Sequence, residues 1–246
     1  GYRDVTDEEV RDIVRQQQES EKLTYAQIAI LASAARERGV SIASHDDDSE
    51  EKLAFMDGLE AVISEFPVSL SIARAARARG MHTIAGAPNV MLGHSHSGNL
   101  SAREAVQAGA IDVLCSDYYP AALLDAVFTL RDQCGLDIAK AFALVTINPA
   151  KAAGIADEVG SIAVGKRADV LLVREISCGE GEGSGEHPGA RPDGRVARTM
   201  PVVTRAFVGG RSVFRSHYPD QPLGYGRDTE QLVSLDQLTR PLAKAV

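Results

Sequence analysis

Four short polar clusters hold the side chains of this sequence that could do chemistry, and each closes a β-rich run. His45, with Asp46, Asp47 and Asp48, follows VSIAS, and Glu65 follows AVIS. Asn89, His94, Ser95, His96, Ser97 and Asn99 come after HTIAG, and Asp117, with Tyr118 and Tyr119, ends IDVLCS. A histidine and carboxylates brought to one place can bind a divalent metal and activate water. A loop rich in hydrogen-bond donors just before a helix, as 94–99 stands before Ser101, can hold phosphate. Each cluster also has a plainer use. His45 can be a loop or capping residue, and the aspartates a solvated turn that caps the next helix. Glu65, before Phe66-Pro67, can be a solvent-facing strand end. Asp117 can cap a helix starting near Pro120. Placement favours the chemical reading, because the clusters fall at the same end of four successive strands. In a parallel α/β barrel those ends face one mouth, where residues distant in sequence converge.

The elements that must position these residues alternate. Thr6 and Glu9 make a capping box that opens a polar helix to about Gln18. A second helix spans YAQIAILASAARER to Gly39, with Ile28, Leu31 and Ala35 on one face. The strand ending at His45 follows, then the helix SEEKLAFMDG, the strand AVISEF and the helix SLSIARAARARG, ending at Gly80. Within that last helix Ile72, Ala75 and Ala76 face the core, and Arg74, Arg77 and Arg79 form a solvated face. The strand HTIAG leads into a long loop, APNVMLGHSHSGN. Ser101 and Glu104 form a second capping box, and the strand IDVLCS and the helices AALLDAVFTLRDQC and DIAKAFALVTI follow. Asn148-Pro149 then caps and restarts a short helix. The strands read as apolar runs, as in a parallel sheet buried on both faces. No GxGxxG or GxxxxGK[ST] lies at a strand-to-helix turn, so a dinucleotide fold has no support.

Near residue 158 the character changes. VGSIAVGKRADVLLV reads as strand, turn and strand. Residues 179–194 are a mobile Gly/Glu/Pro-rich loop by composition. PVVTRAFVGGRSVFR is a hairpin about Gly209-Gly210. The expected organisation is therefore a half-barrel over 1–157, a small β domain over 158–215 and a tail over 216–246.

Composition removes whole classes. The 246 residues are 44% hydrophobic and 24% charged, which is globular and long enough for a sizeable core. A formal net charge of −8, no Trp and 5% aromatics argue against nucleic acid and against an anionic membrane surface. No apolar run reaches the length of a membrane span, and the first residues lack a signal-peptide core. Three cysteines, Cys115, Cys134 and Cys178, are too few for a disulfide framework. A reducing cytoplasm is the expected setting.

At this point the sequence resembles a known family. IASHDD, SEFP, AGAPNVMLGHSHSGNLSA, LCSDYYPAALLDA, NPAKAAG and GSIAVGKRADVLLV are similar to segments of the PhnM family. These are the diphosphatases of the carbon–phosphorus lyase pathway, within the amidohydrolase superfamily. NPA…G and the GKRAD segment are shared across the superfamily, whereas SEFP, GHSHSGN and SDYYP together are more specific. The resemblance implies the second half of a metal-dependent (β/α)8 TIM-type barrel with a small β-sandwich appendage. It implies one or two divalent metals, zinc or manganese, with His45 and Asp117 at the metal site and Asp117 as general base. Glu65 stands where the superfamily usually has a histidine ligand. The first-strand His-x-His pair and the bridging residue of strand four have no counterpart here. The implied reaction is hydrolysis of α-D-ribose 1-methylphosphonate 5-triphosphate to the 5-phosphate with release of pyrophosphate. His94, Ser95, His96, Ser97 and Asn99 are then candidates to hold the phosphates, with the two histidines alternatively on metal. A homodimer or other homo-oligomer, and association with other proteins of the pathway, belong to the same expectation. The alternatives are a dihydroorotase- or deaminase-like C–N hydrolase and a non-catalytic fragment. A half-barrel of four strands would leave two open edges and an apolar face that something must cover.

Overall fold

The computed structural model describes residues 6–20, 22–93, 100–182 and 195–216. Two helices lead: α1 (Asp7–Glu19) and α2 (Tyr25–Glu37), capped by Thr6 and Thr24 through complete capping boxes. Strand–helix units follow: β1 (Ala43–His45), α3 (Glu50–Gly58), β2 (Ile63–Glu65), α4 (Leu70–Ala78) and β3 (His82–Gly86). Then come α5 (Ala87–Leu92), α6 (Ala102–Gln107), β4 (Val113–Cys115), α7 (Ala122–Cys134), α8 (Ile138–Ala143) and α9 (Ile147–Ala152). Ser49, Ser69 and Ser101 each accept a first-turn N–H, so the hydroxyl residues before α3, α4 and α6 fix where those helices start. The four strands pair in sequence order and in parallel. Parallel neighbours require a crossover, and the intervening helices supply it.

Two apolar clusters hold this layer together. One joins β3 and β4 to α5, α6 and α7 through Ala85, Val90, Ala105, Val106, Leu114, Ala126 and Leu130. Its many alanines let helix and strand backbones approach closely. The other, Leu53, Ala61, Ile72, Ala76 and Met81, packs α3 and α4. At the start of β3 and β4 a polar knot adds to them. Asp112 takes hydrogen bonds from Arg77 at 2.8 Å and from the Thr83 N–H at 2.8 Å, and meets His82 Nδ1 at 2.8 Å.

Several expectations change. The strands are not apolar throughout: Ser44, Ser64 and Thr83 are buried and lie in one register row across β1, β2 and β3. APNVML is a helix, α5, because Pro88 sits in its first turn and Ala87, Pro88 and Val90 have a core to enter. Arg77 and Arg79 are not free surface charges, since they pair with Asp112 and Glu50. In α4 it is Ala73, with Ile72 and Ala76, that is buried, and Ala75 only flanks the core. In α2 only Ala32 is buried, and Leu31 stays exposed. Asn148 does not cap α9; its side chain donates to the Asp112 carbonyl at 2.8 Å, and Thr146 holds the cap position.

A compact unit runs through Val170 and takes in Val208–Gly210, a division later than the expected break at 157/158. A second unit holds Leu171–Phe207 and the chain from Arg211. The region carries β5 (Val170–Glu182), β6 (Arg195–Val208) and β7 (Arg211–Arg215), ordered β5-β6-β7, with the expected hairpin at Gly209-Gly210. Among the described residues this is one three-stranded sheet; no second layer makes it a sandwich, and 158–169 form turns rather than a strand. Residues 179–182, expected as loop, continue β5. The remainder of that loop and the tail beyond Ser216 lie outside the described residues.

Candidate active site

The carboxyl ends of β1, β2 and β4 bring His45, Glu65 and Asp117 to one end of the sheet. His45 and Glu65 are register partners on adjacent strands, and both occupy the row next to the buried Ser44–Ser64 pair. The side-chain alternation of a strand therefore turns them to the face opposite those hydroxyls. The backbone departs from the strand immediately after each. Asp46 has φ 54° and Phe66 φ 54°, and their N–H groups donate to the carbonyls of Glu65 at 2.8 Å and Ile84 at 2.9 Å. Asp117 follows with φ 50°. Left-handed backbone is rare for non-glycine residues, and most costly for one as bulky as phenylalanine. Here it recurs at three strand ends that carry the candidate residues.

His45 is held on two sides. Its Nδ1 lies 2.9 Å from Asp46 Oδ2, and its ring meets the Phe66 ring edge-on with centroids 5.2 Å apart. An ionised carboxylate only accepts, so Nδ1 carries the hydrogen in the neutral ring and Nε2 keeps the free lone pair. Asp117 and Phe66 converge over the end of β3. A Cβ added to Gly86 would stand 3.7 Å from Asp117 Oδ2 and 3.7 Å from Phe66 Cε1. Cys115 lies among them. Burial pushes its thiol up, the negative charges of Glu65 and Asp117 push it further, and a backbone hydrogen bond from Asp117 opposes them. A thiol held protonated is neither a thiolate nucleophile nor a ready metal ligand.

His94, Ser95, His96, Ser97 and Asn99 lie outside the described residues. The two stems of their segment are well defined. The Asn89 side chain donates to the Leu100 carbonyl at 3.0 Å and accepts from the Ala102 N–H at 3.0 Å. Arg103 donates to the Val90 carbonyl at 2.6 Å and the Met91 carbonyl at 3.2 Å, which closes the end of α5. Tyr118 and Tyr119 are exposed beside Asp117.

Sequence reasoning missed Asp46 as the partner of His45, Phe66 as its wall and Asp47 as a buried group. The plainer reading of Asp46, Asp47 and Asp48 is a solvated turn, yet Asp47 is wholly buried. The only signal was its neighbourhood: Ser44 and Ser64 are hydroxyls in the middle of short β-rich runs, and each is the buried position of its strand.

One imidazole and two carboxylates at one sheet end are the right donor types for zinc or manganese. Among the described residues no three of His, Cys, Asp and Glu stand together as a ready ligand set. The chain thus offers fitting donors without a closed cage.

Comparison with known proteins places this geometry. The model of the amidohydrolase family matches residues 7–213. The chain is 45% identical over 144 residues to the alpha-D-ribose 1-methylphosphonate 5-triphosphate diphosphatase of Escherichia coli (strain K12), covering 58% of this chain and 38% of that protein. That agrees with the resemblance to the PhnM family. It is 38% identical over 87 residues to a dihydroorotase of Methanopyrus kandleri, covering 28% of this chain and 20% of that one. The chain therefore spans well under half the length of these relatives. Among solved structures, a D-hydantoinase from a Thermus species matches with TM-score 0.55 at 16% identity, over 87% of this chain and 68% of that one. An amidohydrolase from Thermotoga maritima matches with TM-score 0.52 at 16% identity, over 84% and 52%. The chain belongs to the amidohydrolase family, and its parallel sheet and helices are part of a (β/α)8 TIM-type fold.

Proposed function

We propose that this protein works as a diphosphatase that releases pyrophosphate from α-D-ribose 1-methylphosphonate 5-triphosphate. The observation that carries the reading is the arrival of His45, Glu65 and Asp117 at one sheet end, with an exposed carboxylate at Asp117. The substrate is suggested by the 45% identical diphosphatase. His45 and Asp117, with Glu65, would hold a divalent cation, zinc or manganese, one or two in number. When bound, such a cation supplies Lewis acidity and acidifies a water.

The chain's own residues do the rest. Asp117 takes the proton as water attacks the phosphorus nearest the ribose, the bond to the β-phosphate oxygen breaks, and pyrophosphate departs with those electrons. His45, oriented by Asp46 through Nδ1, keeps Nε2 available as a lone-pair donor. His94, Ser95, His96, Ser97 and Asn99 hold the phosphate oxygens and offset the charge that builds there. The exposed Tyr118 and Tyr119 flank Asp117 and can pack on the ribose. A cytoplasmic setting, a homo-oligomer and association with other proteins of the pathway belong to the same proposal.

The test is phosphorus NMR of the protein with the triphosphate and added zinc or manganese. Equal amounts of pyrophosphate and 5-phosphate are expected. Release of orthophosphate overturns the reading. Ring closure of a carbamoyl amino acid without pyrophosphate release favours the dihydroorotase-like alternative, to which the 38% identical relative points. No turnover and no retained metal favour the non-catalytic one.

A further inference from the structure

Asp47 takes no part in the chemistry above, yet it is a carboxylate removed wholly from solvent. Such burial is costly unless hydrogen bonds compensate. Here they are specific. Oδ1 accepts the Ser44 hydroxyl, and Oδ2 accepts the Ser64 hydroxyl at 2.5 Å. The Asp47 carbonyl accepts the Val68 N–H at 3.0 Å. Lys52 Nζ stands 3.9 Å from Oδ1 and donates to the carbonyls of His45 at 2.6 Å and Asp46 at 2.9 Å.

The placement of the two serines gives this a purpose. Ser44 and Ser64 are register partners, and each directly precedes a residue of the candidate site, His45 and Glu65. One buried side chain therefore grips the strand residue before each of them, and the lysine beside it grips the two carbonyls of the turn between. That turn contains Asp46 at φ 54°. In this turn the Asp46 carboxylate reaches back to Nδ1 of the preceding residue. Left-handed backbone costs a non-glycine residue free energy, so the turn persists because its surroundings hold it.

We infer that Asp47 is a positioning residue for the site: through Ser44, Ser64 and Lys52 it holds the 45–47 turn, and thereby the tautomer and direction of His45. The inference rests on His45 being a functional residue as proposed above, but its test reads the ring of His45 and not turnover.

The experiment is long-range proton–nitrogen NMR of the full chain labelled with 15N-histidine, at mildly alkaline pH and without metal. His45 is assigned with His45→Gln. The wild-type ring is expected to show the Nδ1–H pattern. Asp47→Asn keeps the shape but lacks an acceptor on one arm, and Ser64→Ala removes a single arm. Both are expected to shift His45 to the Nε2–H pattern that a free histidine side chain favours, leaving the His82 signal, fixed elsewhere by Asp112, in place. Should Asp47→Asn fail to fold, Ser64→Ala and Ser44→Ala give the answer. Folded variants that keep His45 in the Nδ1–H pattern overturn the inference, as does a shift of His45 and His82 together, which marks general loosening. Pyrophosphate assays on the same proteins after zinc or manganese is added keep the two proposals separate, since an inactive wild type with the expected tautomers removes only the diphosphatase reading.

Discussion

The imidazole of His45 stands edge-on to the ring of Phe66, with centroids 5.2 Å apart and planes at 84°. Phe66 reaches that position with φ 54°, a conformation in which its side chain is disfavoured. Two effects oppose each other at one residue. Phe66→Gly loses the ring contact and relieves the backbone; Phe66→Ala loses the ring and keeps a Cβ in the left-handed region. The glycine variant is expected to be the more stable of the two by about 1 kcal/mol, the reverse of the usual order within a strand or helix. Thermal unfolding of the pair measures it, and an alanine variant at or above the glycine variant refutes it.

Asp117→Asn retains the size of the side chain and removes its basicity. Turnover should fall by about 10²–10⁴-fold, as for loss of a general base, with the melting temperature nearly unchanged. His96→Ala should act differently, raising KM for the triphosphate more than for a shorter phosphate ester. Steady-state kinetics on both substrates distinguish these roles. Equal effects of His96→Ala on both esters point to a metal-binding or structural histidine.

Gly160 cannot accept a side chain. Its φ is 88°, and an added Cβ would lie 2.7 Å from Ala150 Cβ and 3.0 Å from both Ile147 Cα and the Thr146 carbonyl oxygen. Backbone atoms in a helix cannot swing aside as a flexible side chain can. Gly160→Ala should therefore cost about 2–4 kcal/mol, from left-handed strain together with overpacking. Urea unfolding gives the value, and a loss under about 1 kcal/mol would contradict it.

Cys115 should be slow to alkylate. Its thiol is held above the ordinary value of 9.0 chiefly by burial, with the charges of Glu65 and Asp117 adding to it. Below pH 9 iodoacetamide should modify Cys115 of the native protein more slowly than it does the urea-unfolded chain. The linkage has a definite sign. The folded-state value is raised, so the contribution to stability is whole below the unfolded value and is lost as pH rises through the folded one. An equal rate for native and unfolded chain would show the thiol to be unprotected.

The β-α alternation was legible because each element changes the hydrophobic period and most helices start on a hydroxyl residue such as Thr6, Thr24 or Ser101. The strand ends were legible for the same reason: polar clusters follow short β-rich runs, and so His45, Glu65 and Asp117 could be named. What escaped depends on contacts remote in sequence. Asp47 looks like its neighbours Asp46 and Asp48, and only the Ser64 hydroxyl from the next strand marks it as buried. Helix α5 is too short to show a period, and its core contacts come from α7, more than thirty residues on. Arg77 reads as a surface charge until β4 brings Asp112 to it.

The ties that Asn89 and Arg103 make to the stems around 94–99 have an evolutionary consequence. Their partners are main-chain atoms of Val90, Met91, Leu100 and Ala102, so these bonds ask nothing of the side chains at those four positions. Under selection, Met91 and Leu100 can therefore exchange side chains without cancelling these ties, whereas Asn89 and Arg103 cannot.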